Sequence, residues 1–408
     1  DYLRESLEIA EKSRLWELQE LSQMALGQRY YELGDYDTAI AYFEKVVEIH
    51  KKVKDKNKLA MLYFGIGSFY ACKDDKKMAL DYYQKVMELF ESWADEEQIS
   101  NFFNNVWILA NQSDSPKQII LSLKLLKARL RKSPPSYKLA RLHGTLGRIY
   151  QELIQRPTLA ISYLRQGIKL LAVLNRTQEQ VQAITNLAVL YEQQGYYQLA
   201  LDADTEALCL AETNNFEEEV ARLLYNRANC FTLIEMWEQG EADYNRALSI
   251  AEKQDDIELK QAIFHNLGET YSRWGKFERA IALLNRSLEF SRQKEDIDDQ
   301  ILAMNNLGIA YRKNEQYQEA IECSNQALAL SRKYYKKRDE ARILITLGNA
   351  IRFQDKLEEA KVYYEKSLAV ARTIGDISLE QDSFLSLAYV HHELGTLDSL
   401  EAEFQDVV

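Results

Sequence analysis

The stretch Asn266-Leu267-Gly268-Glu269-Thr270-Tyr271, running on through Gly275-Lys276-Phe277 to Ala280-Ile281 and Ser287-Leu288, decides the fold. A small residue, Gly268, is followed three positions later by an aromatic, Tyr271, and nine beyond that by an alanine, Ala280. Apolar residues spaced three and four apart around these positions mark two amphipathic helices, and Gly275 between them is suited to the left-handed backbone that ends a helix. Gly27, Tyr30 and Ala39 show the same triplet first. The small position returns at Gly67, Gly147, Ala188, Ala228, Gly268, Gly308, Gly348 and Ala388, at intervals of 40 except for a step of 80 before Gly147 and one of 41 after it. The aromatic position runs Tyr30, Tyr70, Tyr150, Tyr191, Phe231, Tyr271 and Tyr311. The alanine position runs Ala39, Ala79, Ala160, Ala200, Ala280, Ala320 and Ala360, with Gly240 standing in once.

Two antiparallel helices packed closely need small side chains where their axes approach and a large one in the wedge beside the crossing. A single hairpin leaves an apolar face uncovered, and the next hairpin covers it, so the chain grows as a stack with one continuous core. Turns are expected at Gly34-Asp35, Gly195-Tyr196, Gly275-Lys276 and Gly395-Thr396. The acidic pairs and singles at Asp255-Asp256 and Asp376 are expected to cap the helices that follow.

With Asn266-Leu267-Gly268, Tyr271, Gly275, Phe277, Ala280-Ile281 and Ser287-Leu288 repeated along essentially its whole length, the chain resembles the tetratricopeptide repeat family. Its period of 40 resembles the longer-helix group found in kinesin light chains, Pins-type polarity adaptors and bacterial peptide-sensing regulators. The resemblance implies an all-α, right-handed superhelical solenoid of nine to ten repeats, nine of them marked by a small residue and one degenerate. It also implies that the first helix of each hairpin lines a concave groove.

The degenerate copy places Trp107 where a small residue belongs and Ile119 where alanine belongs. All four prolines, Pro116, Pro134, Pro135 and Pro157, fall nearby, and one extra residue lies between Gly147 and Ala160. The chain therefore divides into N-terminal repeats at 1–97, an irregular joint at 98–158 and a regular array at 159–408. From Ser115 to Arg148 there is no acidic residue, while Lys124, Lys127, Arg129, Arg131, Lys132, Lys138 and Arg141 are all basic. One reading is a solvated face of long side chains lying over apolar surface; the other is a dock for an acidic partner, with nucleic acid ranked last because aromatics do not interleave regularly. Residue 1 is expected to fall inside the second helix of an earlier hairpin and Val408 inside that of the last.

Composition restricts function. Lys and Arg total 51 against 63 Asp and Glu, a net charge of -12 that opposes general binding to nucleic acid or anionic membrane. Fifteen glycines and four prolines in 408 residues are few, as all-helical packing requires. No stretch is long and apolar enough to span a bilayer. Cys72, Cys209, Cys230 and Cys323 are far apart without a C-x-x-C pair and are expected to be buried and inert, in a cytoplasmic protein. His50, His143, His265, His391 and His392 show no metal-ligand spacing. The expectation is no catalytic residue, no metal and no cofactor.

One constellation remains. Asn186, Asn226, Asn266 and Asn306 occupy the same repeat position at intervals of 40, with Asn105 at the matching place in the degenerate copy. Asparagine is a mediocre helix former, and its amide both donates and accepts, so it can pair with an extended peptide backbone whatever that peptide's side chains. The alternative is that these amides tie neighbouring hairpins together. In the family that this chain resembles, asparagines at this position line the groove and grip a partner's backbone. The same geometry implies that Arg222, Tyr225, Asn229, His265 and Arg273 also face the groove, as do Asn305, Arg312, Arg342, Asn349 and Arg352. This basic, amide-rich set favours a protein or peptide ligand with acidic side chains or a free C-terminal carboxylate. Two further readings are a regulatory sensor joined to an effector (a nucleotide-switch ATPase, a protease or a DNA-binding domain) and a self-associating scaffold.

Overall fold

A computed structural model describes residues 2–13, 15–92, 96–112, 116–131 and 134–396. Among them are twenty helices and no strand, and the chain separates into two compact units, 1–214 and 215–408. The first unit holds α1 (Tyr2–Lys12), α2 (Trp16–Glu32), α3 (Tyr36–Val53), α4 (Lys56–Cys72), α5 (Lys76–Ser92) and α6 (Glu96–Gln112). It continues with α7 (Pro116–Leu130), α8 (Tyr137–Glu152), α9 (Pro157–Val173), α10 (Thr177–Gln193) and α11 (Tyr197–Thr213). The second holds α12 (Glu217–Leu233), α13 (Trp237–Gln254), α14 (Ile257–Trp274), α15 (Phe277–Gln293), α16 (Ile297–Lys313), α17 (Tyr317–Lys333), α18 (Lys337–Arg352), α19 (Leu357–Ile374) and α20 (Ile377–Glu393). Within each unit the even-numbered helix packs on the odd-numbered one after it as a hairpin, and the hairpins stack.

The periodic small residues have a steric reason. A Cβ on Gly67 would lie 2.6 Å from the Tyr83 ring, one on Gly268 2.8 Å from Leu284, and one on Gly348 2.6 Å from Tyr364. In each case the large residue comes from the second helix sixteen positions later, so the first helix must be bare there. From the other side, Ala39, Ala160, Ala200, Ala280, Ala320 and Ala360 are 0% exposed. Each fully buried Leu or Tyr in such a contact stabilises the stack by about 1.5–3 kcal/mol.

Caps and turns repeat as well. The carboxylates of Asp35, Asp55, Asp75, Asp256, Asp296 and Asp376 each accept from the backbone N–H three residues on, at 3.0–3.2 Å. Asp255 acts differently, as the left-handed residue that ends α13. The turn after the first helix is left-handed at Gly34, Gly195, Gly275 and Gly395, and equally at Asp74, Gln155, Glu235, Glu315 and Asp355, where the sequence offers no glycine. Stacking fixes these turns firmly enough to hold non-glycine residues in a conformation that disfavours them.

At the joint the stacking rule fails. Helix α6 packs mainly on α8 rather than on α7, and α7 packs on α4 and α5 as well as α8. Trp107 turns toward α8 rather than α7, with the Arg148 guanidinium 3.6 Å from its ring centre. Ser122 of α7 is instead fully buried against the Tyr83 hydroxyl of α5. Pro116 and Pro157 take the first positions of α7 and α9, where a missing N–H leaves nothing unpaired, and the extra residue lies in the turn from α8 to α9, residues 153–156. Cysteine burial departs from expectation at Cys209 of α11, which is exposed; Cys230 is buried, and Cys72 and Cys323 are half-buried.

Candidate functional site

In the second unit α12, α14 and α16 stand side by side and their amides form one network. The Asn266 Nδ2 donates to the Tyr225 hydroxyl at 2.7 Å and to Asn229 Oδ1 at 2.9 Å. Asn229 Oδ1 also accepts from the hydroxyl of the buried Tyr244. On the next helix Asn306 Nδ2 lies 3.2 Å from His265 Nε2. Burial holds the His265 imidazole below its ordinary pKa, so the neutral ring accepts at Nε2. Asn226 is half-buried at the same repeat position, and among the described residues its amide has no hydrogen-bond partner. The Oδ1 atoms of Asn266 and Asn306 likewise receive no donor there, so donors tie helix to helix while acceptors stay open.

Beside this network lies a cleft of about 370 Å³, lined by Tyr225, Gln261, His265, Asn266 and Leu302 together with Glu258, Asp296 and Asp299 and with Lys294, whose ammonium lies 3.6 Å from Glu258. Sequence reading passed over the three acids because they belong to the first turns of α14 and α16 or the turn before. Burial, and then Asp296, raises the Asp299 carboxyl above its ordinary range, and Gln261 donates to it. At the other end of the same helices the charge reverses. Arg273 is exposed with its guanidinium 5.2 Å from the Trp237 ring centre, Arg312 lies 5.1 Å from Phe353, and Lys313 Nζ donates to the Ser272 carbonyl at 3.2 Å. Burial, above all, lowers the pKa of both Arg312 and Lys313. The first-helix face therefore has an acidic edge and a basic edge.

The remaining expected residues are placed as follows. Arg222 is exposed. Asn305 is 3% exposed and accepts from Thr346 Oγ1 at 2.9 Å, tying α16 to α18. Asn349 accepts from the Tyr364 hydroxyl at 2.8 Å. Arg342 pairs with Asp339 at 3.3 Å and Arg352 with Glu393 at 2.9 Å.

In the first unit a second cleft, about 430 Å³, opens on the first-helix face of α6, α8 and α10, and Asn186 lines it. Asn186 is exposed and accepts from Gln182 at 3.4 Å. The hollow centres on Gly144, around whose missing Cβ there is nothing within 4 Å. Phe64, Thr185, Tyr225, His265, Asn305 and Ile345 fill the equivalent position, three before the small residue, in other repeats. Arg148 lies over Trp107 at 3.6 Å, and Arg141 donates to Asn104 at 3.2 Å. Gly144, small where other repeats carry a larger residue, and Trp107 are the signals in the sequence that could have shown this cleft.

The basic stretch splits into two places. Arg141 enters that cleft. Lys124 and Lys127 lie instead on α7 and Arg131 just past its end, with Lys127 4.4 Å from the Tyr163 ring centre and Lys124 5.7 Å from that of Tyr150. Aromatics thus do interleave with the cations, but they come from α8 and α9 and cannot be seen in the α7 sequence. Lys138 is half-exposed; the side chains of Asn105 and Arg129, and the whole of Lys132 and 397–408, lie outside the described residues. Among the described residues no group of three or more His, Cys, Asp or Glu could hold a metal ion, and no helix is long and apolar enough to cross a membrane.

A family model described as tetratricopeptide repeat matches residues 18–92, 219–293 and 299–373, and a second of the same description matches 183–218. The chain belongs to the tetratricopeptide repeat family. Those matched ranges leave the tetratricopeptide chain unmatched over 93–182, which includes the expected joint at 98–158. Among solved structures, the apo form of the quorum sensor NprR from B. thuringiensis is 17% identical, with a TM-score of 0.55 over 88% of this chain and 98% of that one. A Signal Transduction ATPase with Numerous Domains bearing a tetratricopeptide repeat sensor, from Pyrococcus horikoshii, is 14% identical with a TM-score of 0.55, over 90% of this chain and 58% of that one. Aspartyl phosphate phosphatase F from Bacillus subtilis is 13% identical with a TM-score of 0.51, over 88% and 94%. At such identities the likeness is one of fold. No curated protein matches the sequence.

Proposed function

We propose that this chain is a protein–protein interaction module, without chemistry of its own, whose first-helix face clasps a peptide segment of a partner. The observation that carries the reading is the state of the asparagines of the second unit: Asn266 lines a cleft on its first-helix face and Asn226 keeps its amide unspent, while Asn186 lines a separate cleft in the first unit. Amides at one height on successive helices match the repeating N–H and C=O groups of an extended chain. The acidic edge and the basic edge favour a segment carrying both signs of charge, with its acidic side chains or free carboxylate toward Arg273 and Lys313.

The test is a peptide-display selection against the whole chain, followed by titration of the enriched peptides into Asn226→Ala. A tenfold weaker Kd, about 1.4 kcal/mol, supports the groove; enriched peptides that bind the variant as tightly as the wild type refute it. A second reading, a ligand-sensing array governing an effector domain, is favoured by the shared fold of a quorum sensor and of an ATPase's repeat sensor. It predicts that a selected peptide slows amide exchange in hairpins beyond those it touches, and protection confined to the contacted helices would count against it.

A further inference from the structure

The first unit contains a ladder of stacked tyrosines and lysines. Tyr30 stacks on Tyr42 at 5.7 Å with Lys45 over Tyr42, and Tyr70 stacks on Tyr82 at 5.6 Å with Lys85 3.9 Å from Tyr82. Carboxylates balance the charge there, since Glu44 accepts from the Tyr82 hydroxyl at 2.7 Å and Glu48 pairs with Lys51 at 2.6 Å. The ladder recurs where Tyr150 stacks on Tyr163 at 5.4 Å, with Lys124 and Lys127 above them. Among the described residues no carboxylate pairs with the lysines of this rung. Arg131 donates only to the Gln166 amide, at 3.4 Å, and the charged groups acting on Lys127 are Arg131 and Lys124, both of which, after burial, lower its pKa.

Residues 124 and 127 share one face of α7, and Arg131, just past its end with its N–H on the Lys127 carbonyl at 3.0 Å, continues that face, about 10 Å in all at 1.5 Å per residue. Arg131 and Lys124 disfavour the charge on Lys127, which an anion would relieve, while the Tyr150 hydroxyl holds Lys124 charged. Each stacked ring already has one face on its partner and an ammonium over it, so a nucleobase finds no free ring to stack on. Lysine ammoniums are point charges suited to phosphate oxygens, and the Tyr163 hydroxyl, raised above its ordinary pKa by burial, remains a donor.

We infer that the α7 face bearing Lys124 and Lys127, with Arg131 just past the helix end, over the Tyr150–Tyr163 stack, is a binding site for an anion with two or more phosphoryl groups. None of the three residues lines the first-helix cleft of this unit, so the site stands apart from the peptide groove and does not rest on it.

The experiment is calorimetric titration of the full chain with inorganic pyrophosphate at low ionic strength. The expected result is saturable binding that weakens at least tenfold in Lys124→Gln/Lys127→Gln/Arg131→Gln, while the control Lys45→Gln/Lys85→Gln and the groove variant Asn226→Ala stay within twofold of wild type. The buried His143, whose pKa burial and then Lys127 and Arg131 push down to about 4, reports locally: its imidazole pKa rises when the anion neutralises those two cations. A doubly phosphorylated peptide that binds tighter than pyrophosphate marks a phosphoprotein as the source, and the reverse order marks a small metabolite. No saturation below millimolar pyrophosphate, equal binding by the folded triple variant, or affinity for single-stranded oligonucleotides that depends on base identity would overturn the inference.

Discussion

Asn266→Ala and Asn226→Ala occupy the same repeat position and are expected to separate stability from binding. Asn266 makes two interhelix hydrogen bonds, at 2.7 and 2.9 Å, from a half-buried amide. Each is worth about 1 kcal/mol net, and alanine returns up to about 0.7 kcal/mol in helix propensity. Asn229 Oδ1 keeps its bond from Tyr244 when Asn266 is removed, so the loss does not reach that of a buried orphan. The net expectation is a destabilisation of about 1–2 kcal/mol. Asn226 has no such bonds among the described residues, so Asn226→Ala is expected to leave stability unchanged or raise it by about 0.5 kcal/mol while weakening the selected peptide. Urea denaturation followed by tyrosine fluorescence gives the first quantity and titration the second. If Asn226→Ala loses as much stability as Asn266→Ala, or if neither affects a peptide that protects α12 and α14 from exchange, the division between tying donor and gripping amide is wrong.

Two glycines make a matched pair: Gly348→Ala drives a Cβ into the fully buried Tyr364 ring and is expected to lose about 1–2 kcal/mol, whereas Gly144→Ala, with open space around it, gains about 0.5–1 kcal/mol; both are read by denaturant midpoint. The His143 pKa lies at about 4, below the 6.5 of an unfolded histidine, so between those values the unfolded chain binds more protons and stability falls as pH falls. The contribution is about 3 kcal/mol when fully expressed below pH 4, and His143→Gln should flatten that part of the stability profile while leaving the lowered His265 to act in the same sense. In the native protein Cys209 should react with iodoacetamide first, because Cys230 is buried and burial pushes the Cys323 thiol up to about 11; mass spectrometry of the labelled chain shows the order, and early loss of Cys230 would contradict the packing.

By itself the sequence determined everything that depends on interval along the chain. The 40-residue spacing of Gly67, Gly268 and Gly348 marks where a first helix must be bare, since its hairpin partner always arrives a fixed number of residues later. The same locality made the caps at Asp256 and Asp376 readable, because a cap is a bond over three residues. Even Trp107 announced that packing would differ at its repeat. Which helix α7 would turn to was not legible, because that depends on the surfaces left open by α4, α5 and α8. Nor did the sequence say whether an asparagine ties or grips: Asn226, Asn266 and Asn306 look alike as helix positions, and only the reach of Tyr225, Asn229 and His265 from neighbouring hairpins separates them. The acidic edge of the groove and the tyrosines beneath the α7 cations were decided at the same level. Side chains about forty residues apart meet or miss according to how the helix axes cross, and that crossing exists only once the hairpins have stacked.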